Sequence, residues 1–168
     1  VKKNNKNTLL KNYACKDETK DRMYVAWGEV IDEVKNSIYR MNDVWSTADG
    51  INWKQESTNL ATGEKWEPMV VNTGKEVYVF GGKYLKDASA HDNTIYKSSN
   101  MTEWTKVGGE LPDLSRYYDK SIVYFKNKFW LLQSINSSLS LRTDPTASTG
   151  VWSSADGKKW KIEKTNVE

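Results

Sequence analysis

The chain has 168 residues, of which 12% are aromatic, and its formal net charge is +3. Eight Trp and nine Tyr exclude an unfolded polymer, and the length suits one domain with one core. Most basic residues are scattered Lys, which disfavours nucleic-acid binding because such surfaces cluster Arg and Lys. The single Cys15 excludes an intramolecular disulfide and a Cys-based zinc site.

No apolar run has the length of a membrane helix, so we predict no membrane span. The chain contains no apolar signal segment, but it opens with Val, so this observation carries little weight. We leave the compartment open and lean towards an extracytoplasmic location. No motif for a metal, nucleotide or other cofactor is present, and we predict none.

Taken in chain order, residues 1–20 are polar and predict a tail or a degenerate inner strand. Short apolar runs follow, each ending in small or polar residues as buried strands do. They are MYVAWGEV at 23–30, WEPMVVNTG at 66–74, VYVFGGKY at 77–84, YYDKSIVYFKN at 117–127 and FWLLQS at 129–134. Aromatic and β-branched residues dominate them, which favours strands.

Three phrases repeat after these runs: VWSTADGINW at 44–53, IYKSSNMTEW at 95–104 and VWSSADGKKW at 151–160. In each, a ring leads a Trp by eight positions across a polar turn. Asp-Gly, or Asn100 in the middle copy, supplies residues that tolerate a left-handed backbone, so each phrase predicts a β-hairpin. The repeated rings predict packing between neighbouring sheets rather than a platform for sugars or bases.

The units then contain four antiparallel strands and span about 50 residues, a period typical of β-propeller blades. We predict blade 1 at residues 21–56, blade 2 at 63–107 and blade 3 at 112–163. Three blades leave two sheet faces uncovered. The propeller is therefore incomplete unless the chain extends, two copies close a six-bladed ring, or partners cap the ends.

The middle unit resembles a kelch repeat, because VYVFGG precedes a spaced Tyr96 and Trp104. SRYYDKSIVYFKNKFWLL similarly resembles the opening of a kelch blade, and the resemblance covers roughly residues 21–163. The hairpins also look like the Asp-box of sialidase-type propellers. Their Asp and Gly are adjacent, whereas that motif places a residue between them, so no sialidase activity is carried over.

The kelch resemblance implies that ligands bind at the loop face around the axis. Three long insertions, residues 28–42, 81–93 and 133–150, and two segments between blades, 57–66 and 108–118, are expected there. Arginine suits recognition of carboxylates, so an acidic sugar or an acidic peptide is the expected ligand. The candidate ligand-binding residues are Arg40, Arg116, Arg142, Trp66, Tyr117, Tyr118 and His91.

Each candidate has a plainer interpretation. The arginines are alternatively exposed or paired with Glu29, Asp32 and Glu33, and the lone His91 alternatively serves no chemistry. Asp49 and Asp156 precede Gly and are more readily turn formers than general acids.

We interpret the chain as a non-catalytic, kelch-like binding module that presents loops to a protein or glycan partner. An enzyme acting on acidic sugars is the alternative, because some bacterial kelch proteins look like sugar-acid mutarotases; a glycosidase is also of this type. A purely structural module is a third hypothesis, since fold alone does not fix function.

Overall fold

The computed structural model is all-β and describes residues 7–9, 13–17, 22–65, 68–82, 93–109, 111–112, 120–135 and 148–165. These ranges contain no helix, and hence none that could span a membrane. The strands are β1 (Asn7–Leu9), β2 (Tyr13–Asp17), β3 (Arg22–Ala26), β4 (Glu29–Asp32), β5 (Ser37–Arg40), β6 (Val44–Thr47), β7 (Lys54–Ser57), β8 (Met69–Asn72), β9 (Val77–Phe80), β10 (Ile95–Ser98), β11 (Thr105–Lys106), β12 (Lys120–Phe125), β13 (Lys128–Ile135), β14 (Ser148–Ser154) and β15 (Lys161–Thr165).

Three antiparallel sheets of four strands form the body of the molecule. Sheet 1 has the order β2-β3-β6-β7, sheet 2 the order β8-β9-β10-β11, and sheet 3 the order β12-β13-β14-β15. Strand β8 contacts β2 on one side and β12 on the other. The first strands of the sheets are therefore neighbours, as the innermost strands of propeller blades are. The predicted all-β, three-sheet architecture is confirmed.

The strands form where the sequence alternates apolar side chains between two faces. In β9, Val77 and Val79 pack towards sheet 1, whereas Phe80 packs towards sheet 3. Both faces of sheet 2 are thus buried, which explains why VYVF is apolar throughout.

Each repeated phrase forms the outer hairpin of its sheet, as predicted. In each hairpin, the side chain two residues after the first strand (β6, β10 or β14) accepts hydrogen bonds from two backbone N–H groups. The N···O distances are 2.7–3.1 Å, and these bonds close the loop. These bonds run from Ile51 and Asn52 to Asp49, from Thr102 and Glu103 to Asn100, and from Lys158 and Lys159 to Asp156. A hydroxyl on the preceding strand, in Thr47, Ser98 or Ser154, completes each loop.

The left-handed position of the middle hairpin differs from the prediction. Gly50 and Gly157 have φ values of 76° and 74°, and the matching residue is Met101, with φ 67°. We expected Asn100 to take this conformation, but its side chain is the hydrogen-bonding counterpart of Asp49 instead. Met101 is buried between sheets 1 and 2, so packing stabilises a backbone conformation that an L-residue otherwise avoids.

The sheets have equivalent faces. We call the side that carries the first ring of each hairpin the front face, and the opposite side the back face. Trp45 lies opposite Val25, Tyr96 opposite Val79, and Trp152 opposite Leu131. The front face of sheet 2 packs on the back face of sheet 1, and the front face of sheet 3 packs on the back face of sheet 2. The first rings of the second and third hairpins, Tyr96 and Trp152, therefore pack against the preceding sheet.

Insertion 28–42, predicted as a long loop, contains a second hairpin instead. Strands β4 and β5 pair antiparallel with Glu29 opposite Arg40, and β1 pairs with β4 to give a three-stranded sheet. The turn contains Asn36 with φ 49°, a conformation that Asn tolerates better than most residues. Strands β4 and β5 lie in the connection between β3 and β6 of sheet 1, whereas β1 precedes sheet 1 in the chain.

Candidate functional site

The loop end of sheet 1 begins where β3 gives way to Trp27 and Gly28. Trp27 is almost fully buried and has φ 54°, which turns the chain out of the sheet. Its indole N–H donates to Thr62 Oγ1 at 3.1 Å, and its ring meets that of Trp104 edge-on at 5.4 Å. Trp27 therefore joins the loop end to the core between sheets 1 and 2.

Glu29 and Arg40 form an ion pair at the base of the inserted hairpin. Arg40 Nε donates to Glu29 Oε1 at 2.8 Å, and the two side chains are 11% (Glu29) and 8% (Arg40) exposed. Loss of either partner of such a nearly buried ion pair leaves the other charge buried and unpaired. The structure confirms the plainer interpretation that Arg40 pairs with Glu29. Ligand binding by Arg40 stays a prediction.

Lys65 is a buried cation in the segment that leads from sheet 1 to sheet 2. Its side chain is fully enclosed, and its ammonium lies 5.4 Å from the centroid of the Tyr96 ring. Ring faces attract desolvated cations, which offsets part of the cost of burial. Sequence patterns gave no signal for this contact, because Lys is among the most exposed residues in proteins.

The other predicted ligand-binding residues lie outside the described residues: Arg116, Arg142, Trp66, Tyr117, Tyr118 and His91. Their grouping around Arg40 stays a prediction. Within the described ranges, no three His, Cys, Asp or Glu side chains converge as metal ligands would. The absence of a cofactor also stays a prediction.

A cavity of about 350 Å³ opens on the front face of sheet 1. Its lining includes Val25, Trp45 and Trp53 of sheet 1, Val30 and Met41 of the insertion, and Asp43. Trp45 Nε1 donates to Asp43 Oδ2 at 2.8 Å, which fixes the orientation of the indole. The volume falls within the roughly 300–1,000 Å³ of ligand pockets. Asp43 is the one carboxylate among the described lining residues, whereas glycoside hydrolysis uses two.

The hairpin aspartates act in the fold rather than in chemistry. Hydrogen bonds from the backbone and side chain of Asn52 and from the Ile51 N–H hold the pKa of Asp49 well below its ordinary value. The N–H groups of Lys159 and Lys158 lower the pKa of Asp156 in the same way. Both carboxylates are therefore ionised near neutral pH and cannot donate a proton there. Their predicted turn-forming role is confirmed.

The fold resembles parts of two solved carbohydrate hydrolases. One is Zg3597, a family 117 glycoside hydrolase of the marine bacterium Zobellia galactanivorans, with a TM-score of 0.61 and 8% identity over 95% of this chain and 46% of that chain. The other is sucrose-6-phosphate hydrolase from Lactobacillus gasseri, with a TM-score of 0.59 and 10% identity over 94% of this chain and 34% of that chain. No protein-family model and no curated protein sequence matches the chain.

These comparisons support a propeller-like fold, and the chain spans less than half of each solved chain. They overturn the interpretation of the chain as a non-catalytic binding module, because both structural neighbours are hydrolases. That interpretation was wrong because it took a loop-presenting scaffold as evidence of binding alone, whereas one fold hosts both classes. Likeness at this level of identity shows the fold, so the reaction itself is a matter for proposal.

Proposed function

We propose that this chain is part of a β-propeller enzyme that hydrolyses glycosidic bonds. The observation that carries the proposal is the match of 95% and 94% of the chain to parts of two named carbohydrate hydrolases. The predicted loop face adds support, because carboxylates occur in the segments expected there. They include Asp87, Asp92, Asp113 and Asp144. Glycoside hydrolysis needs one carboxylic acid to protonate the leaving group and a second carboxylate to act as base or nucleophile.

The preferred substrate in this proposal is a glycoside of an acidic sugar. Arg116 and Arg142 occur in two of the loop-face segments, and a guanidinium matches a carboxylate with two parallel hydrogen bonds. Arg40 is given a different role, because Glu29 already engages its Nε in a nearly buried site. We therefore assign substrate recognition to Arg116 and Arg142 and a positioning role at the hairpin base to Arg40.

Assays of reducing-end release test the reaction. The full chain is incubated with a panel of oligosaccharides and chromogenic glycosides that contain either uronic acids or the matching neutral sugars. We expect release of reducing ends from an acidic substrate. Among D87N, D92N, D113N and D144N, a variant that removes a catalytic carboxylate is expected to lose at least about 100-fold in kcat/KM, which corresponds to about 2.7 kcal/mol. Absence of release across the panel, with the chain folded and at micromolar concentration, contradicts the proposal.

Arginine variants test the substrate class separately. R116A and R142A are each expected to lower kcat/KM for the acidic substrate about 10- to 100-fold, and to leave the neutral analogue nearly unchanged. R22A is the matched control, because it removes an arginine that lies on sheet 1 and contacts Ser46 and Glu56 there. Equal losses on acidic and neutral substrates contradict recognition of an acidic group. The kelch-like character of sheet 2 stays a prediction beside this function.

A further inference from the structure

The front face of sheet 1 carries the residues that form one side of the two sheet–sheet interfaces in the molecule, but no described four-stranded sheet covers it. On sheet 2 the front face is covered by sheet 1, and on sheet 3 it is covered by sheet 2. The equivalent positions of sheet 1 are Met23, Val25, Trp45 and Trp53, by strand pairing and by the hairpin repeat. Met23, Trp45 and Trp53 are exposed, and the cavity described above is lined by Val25, Trp45 and Trp53. The repeat thus indicates that a β-sheet covers this face.

The back face of sheet 3 is the corresponding surface at the other side of the molecule. Ile122 and Tyr124 pack towards sheet 2, so Val123 and Phe125 alternate to the opposite side. Trp130 pairs with Val123, and Leu132 follows two residues later on the same side. Val123, Phe125 and Leu132 are exposed apolar residues. Sheets 1 and 2 use the same side, with Tyr24, Ala26, Tyr78 and Phe80, to cover the sheet that follows.

We propose that the front face of sheet 1 packs on the back face of sheet 3 of a second copy of this chain. The contacts between sheets 2 and 3 provide the register. Phe80 lies 5.3 Å from Phe129 and 6.1 Å from Trp160, as ring centroids. Leu132 occupies the position of Phe80, Met23 that of Phe129, and Trp53 that of Trp160. Leu132 of one copy therefore meets Met23 and Trp53 of the other.

This interface joins two different surfaces, so each copy offers one of each. Such head-to-tail interfaces close into a ring when the rotation per copy allows it. Two copies with three sheets each supply six sheets, which lies within the four to eight of known propellers. Closure covers the front-face cavity and encloses the axis at the loop face. The inference does not rest on the proposed hydrolysis, and its tests use no activity.

Charge variants at the two surfaces test the pairing. Met23 and Leu132 are 37% and 40% exposed, so M23E and L132K are compatible with the fold of each copy. Sedimentation of the unchanged chain is expected to give twice 19.3 kDa, and each variant alone is expected to fall to 19.3 kDa. V34E, a substitution at an exposed residue of the β4–β5 turn, is expected to keep the double mass.

Mixing the two variants distinguishes the proposed interface from any other. One interface of the mixed pair restores Met23 against Leu132, and the other places Glu against Lys, so the double mass is expected to return. A single mass for the unchanged chain at micromolar concentration overturns the proposal, as expected if further sheets of a longer chain cover the faces. A double mass that M23E and L132K leave unchanged also overturns it.

Cross-linking reports the contact without charge effects. In a C15S background, M23C mixed with L132C is expected to give a disulfide-linked band at twice 19.3 kDa under oxidising conditions. V34C mixed with L132C provides the control and is expected to stay at the single mass. Equal cross-linking of both mixtures overturns the assigned register.

Discussion

The outer hairpins of sheets 1 and 2 share one sequence pattern and differ in surroundings. Trp53 and Trp104 each end a hairpin phrase, yet Trp53 is 39% exposed and Trp104 is 8% exposed. Trp104 rests on Trp27 of the preceding sheet and donates its indole N–H to the Met101 carbonyl oxygen at 2.9 Å. No described four-stranded sheet covers the front face of sheet 1. The difference shows that the hairpin is encoded locally, whereas its ring contributes to stability only through a neighbouring sheet.

Alanine at the two tryptophans gives the largest expected contrast. W104A removes a buried ring between sheets 1 and 2 and is expected to lower the free energy of unfolding by about 3–5 kcal/mol. W53A removes a ring that is already partly in water in one copy, and in the M23E background, where the copies are expected to separate, we expect a loss below about 1 kcal/mol. Urea unfolding followed by fluorescence of the remaining tryptophans measures both. Equal losses would show that the two rings have the same surroundings in solution.

A glycine next to the third hairpin tests how closely the covered hairpins are held. A Cβ at Gly109 would lie 2.6 Å from Lys158 Cα, whereas a Cβ at Gly108 has no atom within 4 Å. Both glycines have positive φ, 86° and 74°, so both alanine variants are strained by about 1–2 kcal/mol. G109A must also displace backbone, and we expect it to cost about 2 kcal/mol more than G108A. Thermal unfolding of the two variants measures the difference.

Equal losses from G108A and G109A would contradict the close approach of residues 107–109 to the third hairpin. The first hairpin offers a second control, because a Cβ at Gly50 also has no atom within 4 Å. G50A is therefore expected to match G108A.

The hairpin aspartates make the first and third hairpins sensitive to acid. Their folded-state pKa values lie below the unfolded value of about 3.8, so their stabilisation is present above that value. It is lost as the pH falls through the lower folded-state pKa. The middle hairpin uses Asn100 in the same role and does not titrate. We expect the D49N/D156N double variant to lose less stability than the unchanged chain between pH 4 and pH 2.

Unfolding free energies at several pH values in this window measure the effect. E33Q removes one charge from an exposed position and is the control, with a pH dependence like that of the unchanged chain. Parallel curves for the unchanged chain and D49N/D156N would mean that the aspartates keep ordinary pKa values.

The sequence predicted the sheets well because alternation and turn residues are local signals. VYVF and IYKS became β9 and β10, and the three hairpins share one hydrogen-bonding scheme. The second hairpin at Glu29–Arg40 also had a signal in its Lys35-Asn36 turn, which we did not use.

What sequence reasoning missed depends on distant contacts. Met101 adopts a left-handed backbone at a position buried against sheet 1, and Lys65 is buried with its ammonium 5.4 Å from the centroid of the Tyr96 ring. Neither residue type indicates this by itself. Of the candidate site, the Arg40–Glu29 pair was among the alternatives considered, because the two residues lie close in sequence at the ends of one insertion. Only the register of β4 and β5, which places Glu29 opposite Arg40, identified Glu29 among the possible partners.

The smallest expected effect concerns the Lys97–Glu76 ion pair of sheet 2, whose positions carry different residues in sheet 1. In sheet 2, Lys97 Nζ lies 2.9 Å from Glu76 Oε1, and both side chains are about one-third exposed. In sheet 1, Arg22 stands at the position of Glu76 and Ser46 at that of Lys97, and both contact Glu56. Each sheet therefore has a polar contact beside its outer hairpin, with a cation at the Arg22 position in sheet 1 and a carboxylate at the equivalent Glu76 position in sheet 2.

Because exposed pairs contribute little, K97M and E76Q are each expected to cost less than about 1 kcal/mol in the free energy of unfolding. The swap E76K/K97E keeps the pair and is expected to recover most of that loss at low salt. Salt at about 1 M is expected to remove the difference between the swap and the single variants, because it screens surface charges. A cost above about 2 kcal/mol for either single variant would indicate that the pair is desolvated in solution.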